Sequence, residues 1–260
     1  MAIPPSTSAL VLSHPAVAAI ATPLRRALEQ AAAAAPNVDD ATDSPQAVAS
    51  MLDALSLLGD DGDTVAAAVL YTYPGWQAHL GAGFEREFAT VAVLLEGQRA
   101  AAQVWALHAE RHGQAGNEGL RRLLLAIVRD LRVVPILLAR QLARMRHAEA
   151  LPENERRALA ALTRDIHAPL ANRLGIWQLK WELEDLAFRY LEPGTYQQIA
   201  RLLDEKRVDR ERYIVKVKRT LRDAMAAQGV QADIAGRPKH IYSIWKKMQR
   251  KNVPIGELYD

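Results

Sequence analysis

Cysteine is absent from the 260-residue sequence, and several other features are scarce. Without thiols the chain has neither a disulfide framework nor a thiolate nucleophile, which suits a reducing compartment. No segment approaches the ~20 consecutive apolar residues that a membrane span needs. The first thirty residues also lack the basic start and long apolar stretch of a signal peptide. These absences predict a cytoplasmic protein that makes no contact with a membrane.

The chain also lacks a large excess of either charge, because 33 Lys and Arg residues are nearly balanced by 30 Asp and Glu residues. The net charge is +3. A dispersed surplus of this size is weak support for a polyanionic partner. Hydrophobic residues make up 50% of the chain, which is enough for the core of one large or two small domains.

Helical patterns follow one another along most of the chain. Ser44 and Pro45, for example, predict an N-cap and a first helical position ahead of apolar residues at helical spacing. Residues 230–236 alternate apolar and polar side chains, and only they clearly predict a strand. The sequence therefore predicts a mainly α fold.

A basic segment near the end is the least ordinary feature of the sequence. From Arg237 to Lys251 there are six Lys or Arg residues and no Asp or Glu. Pro238 suits the first position of a helix, because its fixed φ fits and its missing N–H costs nothing there. Four apolar residues then recur at helical spacing: Ile241, Ile244, Trp245 and Met248. A cationic helix start is suited to phosphate, since free N–H groups and the helix dipole favour anions.

The same segment resembles the opening of the synthetase domain in the long RelA/SpoT-type enzymes, which make (p)ppGpp. The family pattern is approximately Gly-Arg-x-Lys-x-x-x-Ser-Ile-x-x-Lys-Met, which is met here by Arg237, Lys239, Ser243, Ile244, Lys247 and Met248. Residues 168–176 and 179–185 resemble the segment that joins the hydrolase and synthetase domains of this family. The resemblance is dense from about residue 165 to 260 and can be followed back to about residue 40.

The resemblance implies a fold in two parts. Residues 1–195 would form a helical HD-type (pseudo)hydrolase domain with its linking helices. Residues 196–260 would form the truncated start of an α/β nucleotidyltransferase-like synthetase domain. The implied reaction is transfer of pyrophosphate from ATP to the 3′-hydroxyl of GTP or GDP, as in a GTP pyrophosphokinase of the stringent response.

The resemblance also implies roles for individual residues. Arg237, Lys239, His240, Ser243 and Lys247 would bind the phosphates of ATP, with His240 as a secondary contact. Asp260 would be the catalytic carboxylate that holds Mg²⁺, because magnesium prefers hard oxygen ligands.

The hydrolase half of the family needs a His, a His-Asp pair and a later Asp to hold a metal that activates water. Alignment with the family places these positions on Ser44, on Tyr71 and Thr72, and on Arg140. None of these side chains is a usable metal donor, and no His-Asp dipeptide occurs in the chain. We therefore expect an inactive hydrolase that binds no Mn²⁺, which is the pattern of the synthetase-only RelA branch.

The sequence ends at Asp260, where the metal site of the implied synthetase would begin. We therefore expect that this fragment alone neither makes nor degrades (p)ppGpp. Members of the family continue into domains that sense the ribosome and uncharged tRNA, so these are the partners that the resemblance implies.

Alternatives to this interpretation stay open at this point. The helical region could be a non-catalytic scaffold that controls the synthetase or binds a nucleotide in the former hydrolase cleft. The basic segment could instead belong to a helical nucleic-acid binder. His108 and His112 share one helix face, but no third zinc ligand lies nearby, and His14 echoes the first hydrolase His without partners.

Overall fold

The computed structural model describes residues 7–35, 41–59, 61–110, 129–204, 207–236 and 239–254. Two compact units divide the chain, Met1–Leu183 and Glu184–Asp260. Helices dominate both, and no strand occurs in the described ranges. None of the described helices has the length and apolar character needed to cross a membrane. The mainly α prediction is confirmed.

The first unit begins with helices of modest length. In chain order they are α1 Thr7–Leu12, a 3-10 turn Pro15–Ala19, α2 Thr22–Ala34, α3 Pro45–Ser56, α4 Gly62–Thr72, α5 Pro74–Ala78, α6 Phe84–Glu87 and α7 Ala89–Glu110. Ser44 caps α3 as predicted, because its Oγ accepts a hydrogen bond from the Ala47 N–H at 3.2 Å.

The remaining helices of this unit follow in chain order. They are α8 Val133–Arg146, a 3-10 turn Ala148–Ala150, α9 Glu153–Leu162, a π-helical turn Thr163–His167, α10 Ala168–Arg173 and α11 Trp177–Leu191, of which the residues from Glu184 onward belong to the second unit.

The core of the first unit lies around α4 and α8. Residues 65–70 of α4 are buried on every side of the helix, as is normal for a central helix enclosed by others. Helix α4 packs against α7, and α8 packs against α3. Gly97 lets α7 approach α8 closely, because a Cβ there would lie only 2.6 Å from Cγ2 of Val133.

The second unit has a small core of its own. Its further helices are α12 Pro193–Asp204, α13 Arg207–Ala227 and α14 Ile241–Lys251. Phe188, Ile199 and Ile244 are buried together, and six partly buried side chains pack around them: Tyr196, Leu203, Ile241, Tyr242, Trp245 and Met248. The apolar stripe predicted for the basic segment therefore faces this core.

The strand predicted at residues 230–236 is wrong for this structure, where the segment is irregular. A strand is completed by hydrogen bonds to a second strand, and none is present among the described residues. Val230 is 47% exposed, so the alternating pattern buries no apolar face. The predicted domain boundary after residue 195 is a functional assignment and stays a prediction.

Candidate functional site

A cavity of about 140 Å³ opens inside the first unit among α4, α7, α8 and the π-helical turn. Nine residues line it: Tyr71, Gln98, Ala102, Leu137, Arg140, Gln141, Arg144, Leu162 and His167. Arg140 and Arg144 are separated by one turn of α8, so both point to the same side of that helix. The cavity therefore places two cations in a largely apolar interior.

Arg140 forms the floor of this cavity, with its side chain only 7% exposed. Its Nη2 donates to Oε1 of Gln98 at 3.0 Å and to the Ala68 carbonyl at 3.3 Å. Its guanidinium carbon lies 4.3 Å from the centroid of the Tyr71 ring, which is a cation–π distance. Burial lowers the pKa of Arg140 to about 10, and the charge of Asp43 opposes that shift. The group remains a cation at neutral pH.

Asp43 is the carboxylate that pairs with both arginines. Its side chain is 9% exposed, and Nε of Arg144 donates to its Oδ1 at 2.5 Å. Nη2 of Arg144 donates to Oδ2 at 3.2 Å, and Nε of Arg140 lies 3.6 Å from the same oxygen. One negative charge thus opposes two positive charges.

The structure brings the predicted hydrolase positions close together. The Thr42 N–H donates to the Thr72 carbonyl at 3.0 Å, which joins the segment before α3 to the end of α4. Tyr71, next to Thr72, lies against Arg140 from α8. Ser44 caps α3, and the Thr72 hydroxyl donates to the Ala68 carbonyl at 3.0 Å.

The side chains at these four positions differ in chemistry from the usual ligands of a hydrolase metal. Metal sites of the hydrolase type use imidazole and carboxylate ligands, whereas these positions carry two hydroxyls, a phenol and a guanidinium. Within the described ranges, no group of three or more His, Cys, Asp or Glu residues could hold a metal. The nearby carboxylate of Asp43 is already paired with two arginines. The assignment of these positions to former metal ligands stays a prediction.

Two further buried groups border this region. His167 is 4% exposed, and burial lowers its pKa to about 4, so the ring is neutral at pH 7. Its Nδ1 lies 3.4 Å from the Leu162 carbonyl. Tyr73 stacks on Trp76 with ring centroids 4.5 Å apart, and burial, with a smaller effect of the Asp43 charge, raises the pKa of Tyr73 to about 12.

Sequence reasoning did not single out Asp43, Gln98 and Arg144. The available signal was an Arg at each of two positions one turn apart in the apolar helix α8. Their partner Asp43 lies 101 residues before Arg144 in the chain. A separation of that size leaves no trace in local periodicity.

A second candidate site lies at the start of α14 in the second unit. The Tyr242 N–H donates to Oδ1 of Asp185 at 2.8 Å, so a carboxylate from α11 caps the basic helix. Nδ1 of His240 lies 3.6 Å from Oδ2 of the same carboxylate. Burial raises the pKa of Asp185, and the Tyr242 N–H and the His240 charge oppose that shift.

The predicted phosphate-binding residues are described in part. Loss of water around the amine lowers the pKa of Lys247, with smaller effects from Lys239, Lys251 and Arg250. Ser243 is half-buried on α14. Arg237 and Asp260 lie outside the described residues.

This chain is similar to one known domain family and to several known enzymes of guanine nucleotides. A family model for the HD domain matches residues 15–177. The chain is 46% identical over 215 residues to a GTP pyrophosphokinase of Escherichia coli, a match that covers 81% of this chain and 29% of the relative.

A GTP pyrophosphokinase of Haemophilus influenzae is 40% identical over 218 residues, covering 83% of this chain and 29% of the relative. A probable guanosine-3′,5′-bis(diphosphate) 3′-pyrophosphohydrolase of Synechocystis is 47% identical over 144 residues, covering 55% of this chain and 19% of the relative. The chain thus spans 29% of the length of the GTP pyrophosphokinases cited here.

Proposed function

This chain belongs to the HD-domain family in its RelA/SpoT-type form, and on that basis we propose that the whole protein is a GTP pyrophosphokinase. It transfers pyrophosphate from ATP to the 3′-hydroxyl of GTP or GDP and makes (p)ppGpp. The observation that carries this proposal is the 46% identity over 215 residues to a relative of that name. Partnership with the ribosome and uncharged tRNA, through further domains, belongs to the same proposal.

The basic helix α14 supports the transfer step. Attack on the β-phosphorus of ATP requires a fixed triphosphate whose charge is neutralised, so positioning and electrostatics dominate. Lys239 precedes α14 and is one of the cations that lower the pKa of Lys247, and Asp185 caps the start of that helix. We assign these lysines, with Arg237 and Ser243, to the ATP phosphates, and His240 to a secondary contact.

Asp260 is assigned to the magnesium ion of this reaction. Its carboxylate is a hard oxygen ligand of the kind that Mg²⁺ accepts. Bound magnesium would neutralise phosphate charge as the pyrophosphoryl group moves.

The HD half of the protein is assigned no hydrolase activity. Ser44, Tyr71, Thr72 and Arg140 supply no carboxylate or imidazole, and Arg140 brings positive charge to the place where a metal would be held. An intact buried core around this cavity favours a second, regulatory role, in which the helical domain controls the synthetase without catalysis.

An activity assay on two proteins tests these assignments. One is the 260-residue chain, and the other is a fusion completed with the residues that follow the matched region in the Escherichia coli relative. Both receive labelled ATP with GTP and Mg²⁺, and separately labelled ppGpp with Mn²⁺. The Synechocystis relative serves as the positive control for hydrolysis.

We expect synthesis by the fusion, none by the 260-residue chain, and hydrolysis by neither. Hydrolysis would mean that the four metal positions are wrongly placed. A silent fusion beside an active relative would refute the synthetase assignment for this chain. Synthesis by the 260-residue chain would contradict its expected inactivity.

A further inference from the structure

The cavity in the first unit has two cationic side chains and one carboxylate to balance them. Arg140 and Arg144 share the single carboxylate of Asp43. None of the nine lining residues is an Asp or a Glu. The described residues at this cavity therefore leave a surplus of about one positive charge in a low-dielectric setting, where an uncompensated cation is costly.

We propose that this cavity binds a phosphate group, held between Arg140 and Arg144, where a hydrolase of the family would bind its metal. The inference deepens the regulatory role proposed for the HD half, and it is independent of synthetase activity. It also follows from the mismatch between these side chains and a metal, because the guanidiniums that repel a cation attract an oxyanion.

Hydrogen-bond donors are available for such an anion. An Arg side chain has five N–H donors. Arg140 directs Nη2 to Ala68 and Gln98, while Arg144 directs Nε and Nη2 to Asp43. In the described part of the chain, no acceptor takes a hydrogen bond from Nη1 of either arginine. In addition, Nε of Arg140 is buried without a hydrogen-bond partner.

The size and access of the cavity restrict the ligand. At about 140 Å³ the cavity has room for several waters of ~30 Å³ each, or for one tetrahedral oxyanion. It is smaller than the ~300–1,000 Å³ of pockets that enclose drug-sized ligands, so it does not enclose a whole nucleotide. Arg144 is 40% exposed at the rim, whereas Arg140 is 7% exposed at the floor, so an anion can enter from solvent past Arg144.

Phosphate binding by the 260-residue chain tests the proposal directly. Thermal unfolding is followed in sodium phosphate and in sodium chloride at matched ionic strength, and ³¹P line broadening gives an apparent affinity. Because a ligand of the folded state raises stability with concentration, we expect the melting temperature to rise with phosphate beyond the chloride control. Arg144→Gln should weaken the apparent affinity about tenfold, the effect of one charge-assisted hydrogen bond.

Three variants distinguish phosphate bound in the cavity from phosphate bound elsewhere on the chain. Arg144→Lys keeps the charge without the planar fork, so its affinity should lie between those of the parent and Arg144→Gln. Lys247→Gln removes a cation from the other candidate anion site, so any part of the phosphate response that it abolishes belongs to the basic helix and not to the cavity. Arg25→Gln, in the exposed i,i+4 pair with Glu29, is the matched surface control and should leave the response unchanged.

A parallel titration with GDP distinguishes the source of the phosphate. Stronger Arg144-dependent binding of GDP than of inorganic phosphate would assign a nucleotide whose base lies outside the cavity. Equal or weaker binding would assign free phosphate. The proposal is overturned if phosphate gives no more stabilisation than chloride, or if Arg144→Gln and Arg25→Gln respond alike.

Discussion

Arg140 and Asp43 show how one buried charge constrains its neighbours. The guanidinium contacts Gln98, Ala68 and Tyr71 and is paired with Asp43 at 3.6 Å. Removing one member of a buried ion pair is far more damaging than replacing both by apolar groups, because a single charge then stays in a low-dielectric interior. Asp43 is therefore the residue on which the charge of the whole cavity depends.

Asp43→Asn should lower the free energy of unfolding by about 3–5 kcal/mol, since Arg140 would lose its buried counter-ion. The matched control is Asp53→Asn, whose side chain is 69% exposed beside His14 and whose loss should cost less than ~0.5 kcal/mol. Urea unfolding of both variants measures the difference. The double variant Asp43→Asn with Arg140→Met should recover much of the loss, and equal costs for the two Asn variants would refute this account.

Single residues also mark the limit of sequence reasoning. The place of Ser44 before Pro45 predicts a cap, and its hydrogen bond to Ala47 confirms that local pattern. Asp43, its neighbour, has the sequence context of an ordinary loop acid. Its role comes from Arg140 and Arg144 of another helix, and only the folded chain brings those groups within reach.

Secondary structure shows the same difference between features that the local sequence determines and features that depend on contacts with distant segments. Helix α14 could be predicted from its sequence, because one face carries the apolar residues that pack on Phe188 and the other carries the lysines. The 230–236 segment has an equally regular alternation, yet it forms no strand. A helix satisfies its hydrogen bonds within itself, whereas a strand depends on a partner that its own sequence does not specify.

The cap that Asp185 places on α14 gives a prediction for this helix. Asp185→Ala removes the acceptor of the Tyr242 N–H and should cost about 1 kcal/mol of helix stability, as the loss of an N-cap does. Hydrogen exchange should accelerate at Tyr242, Ser243 and Ile244 and stay unchanged in α4. Asp185→Asn keeps an oxygen acceptor and should have a smaller effect.

An exposed acid in the same unit provides the comparison for this experiment. Asp204 ends α12 and is exposed, so Asp204→Ala should leave exchange in α14 unchanged. If Asp185→Ala and Asp204→Ala give the same exchange rates in α14, the carboxylate of Asp185 does not hold the start of the basic helix.

In the molecule as a whole, the two units differ in which of their candidate site residues the structure describes. The first unit matches the HD domain over residues 15–177, and all residues that line its cavity lie within that range. The second unit is matched through its relatives, while Arg237 and Asp260 lie outside the described residues. The proposed lack of hydrolase activity therefore depends on side chains that the structure describes. The proposed synthetase activity depends on Lys239 and Lys247 together with the family relationship.

Neighbouring lysines on α14 allow the synthetase assignment to be tested in the complete enzyme. Lys247 is half-buried, and its pKa is lowered by loss of water and by three nearby cations, of which Lys239 has the largest effect. Lys246 is exposed and lies over the Tyr242 ring at 5.8 Å. In the fusion described above, Lys247→Ala should lower kcat/KM for ATP by about 10²-fold or more, as loss of a group that stabilises transition-state charge does.

Lys246→Ala removes the same charge from the adjacent position and should change kcat/KM by less than about twofold, because an exposed charge is screened by solvent. Circular dichroism confirms that both variants keep their helices. A fall in kcat with little change in KM would mean that Lys247 stabilises negative charge that develops in the transition state. Loss of a contact made equally to substrate and transition state would raise KM instead. Equal activity of the two variants would remove Lys247 from the phosphate site and leave the basic helix as a solvated surface.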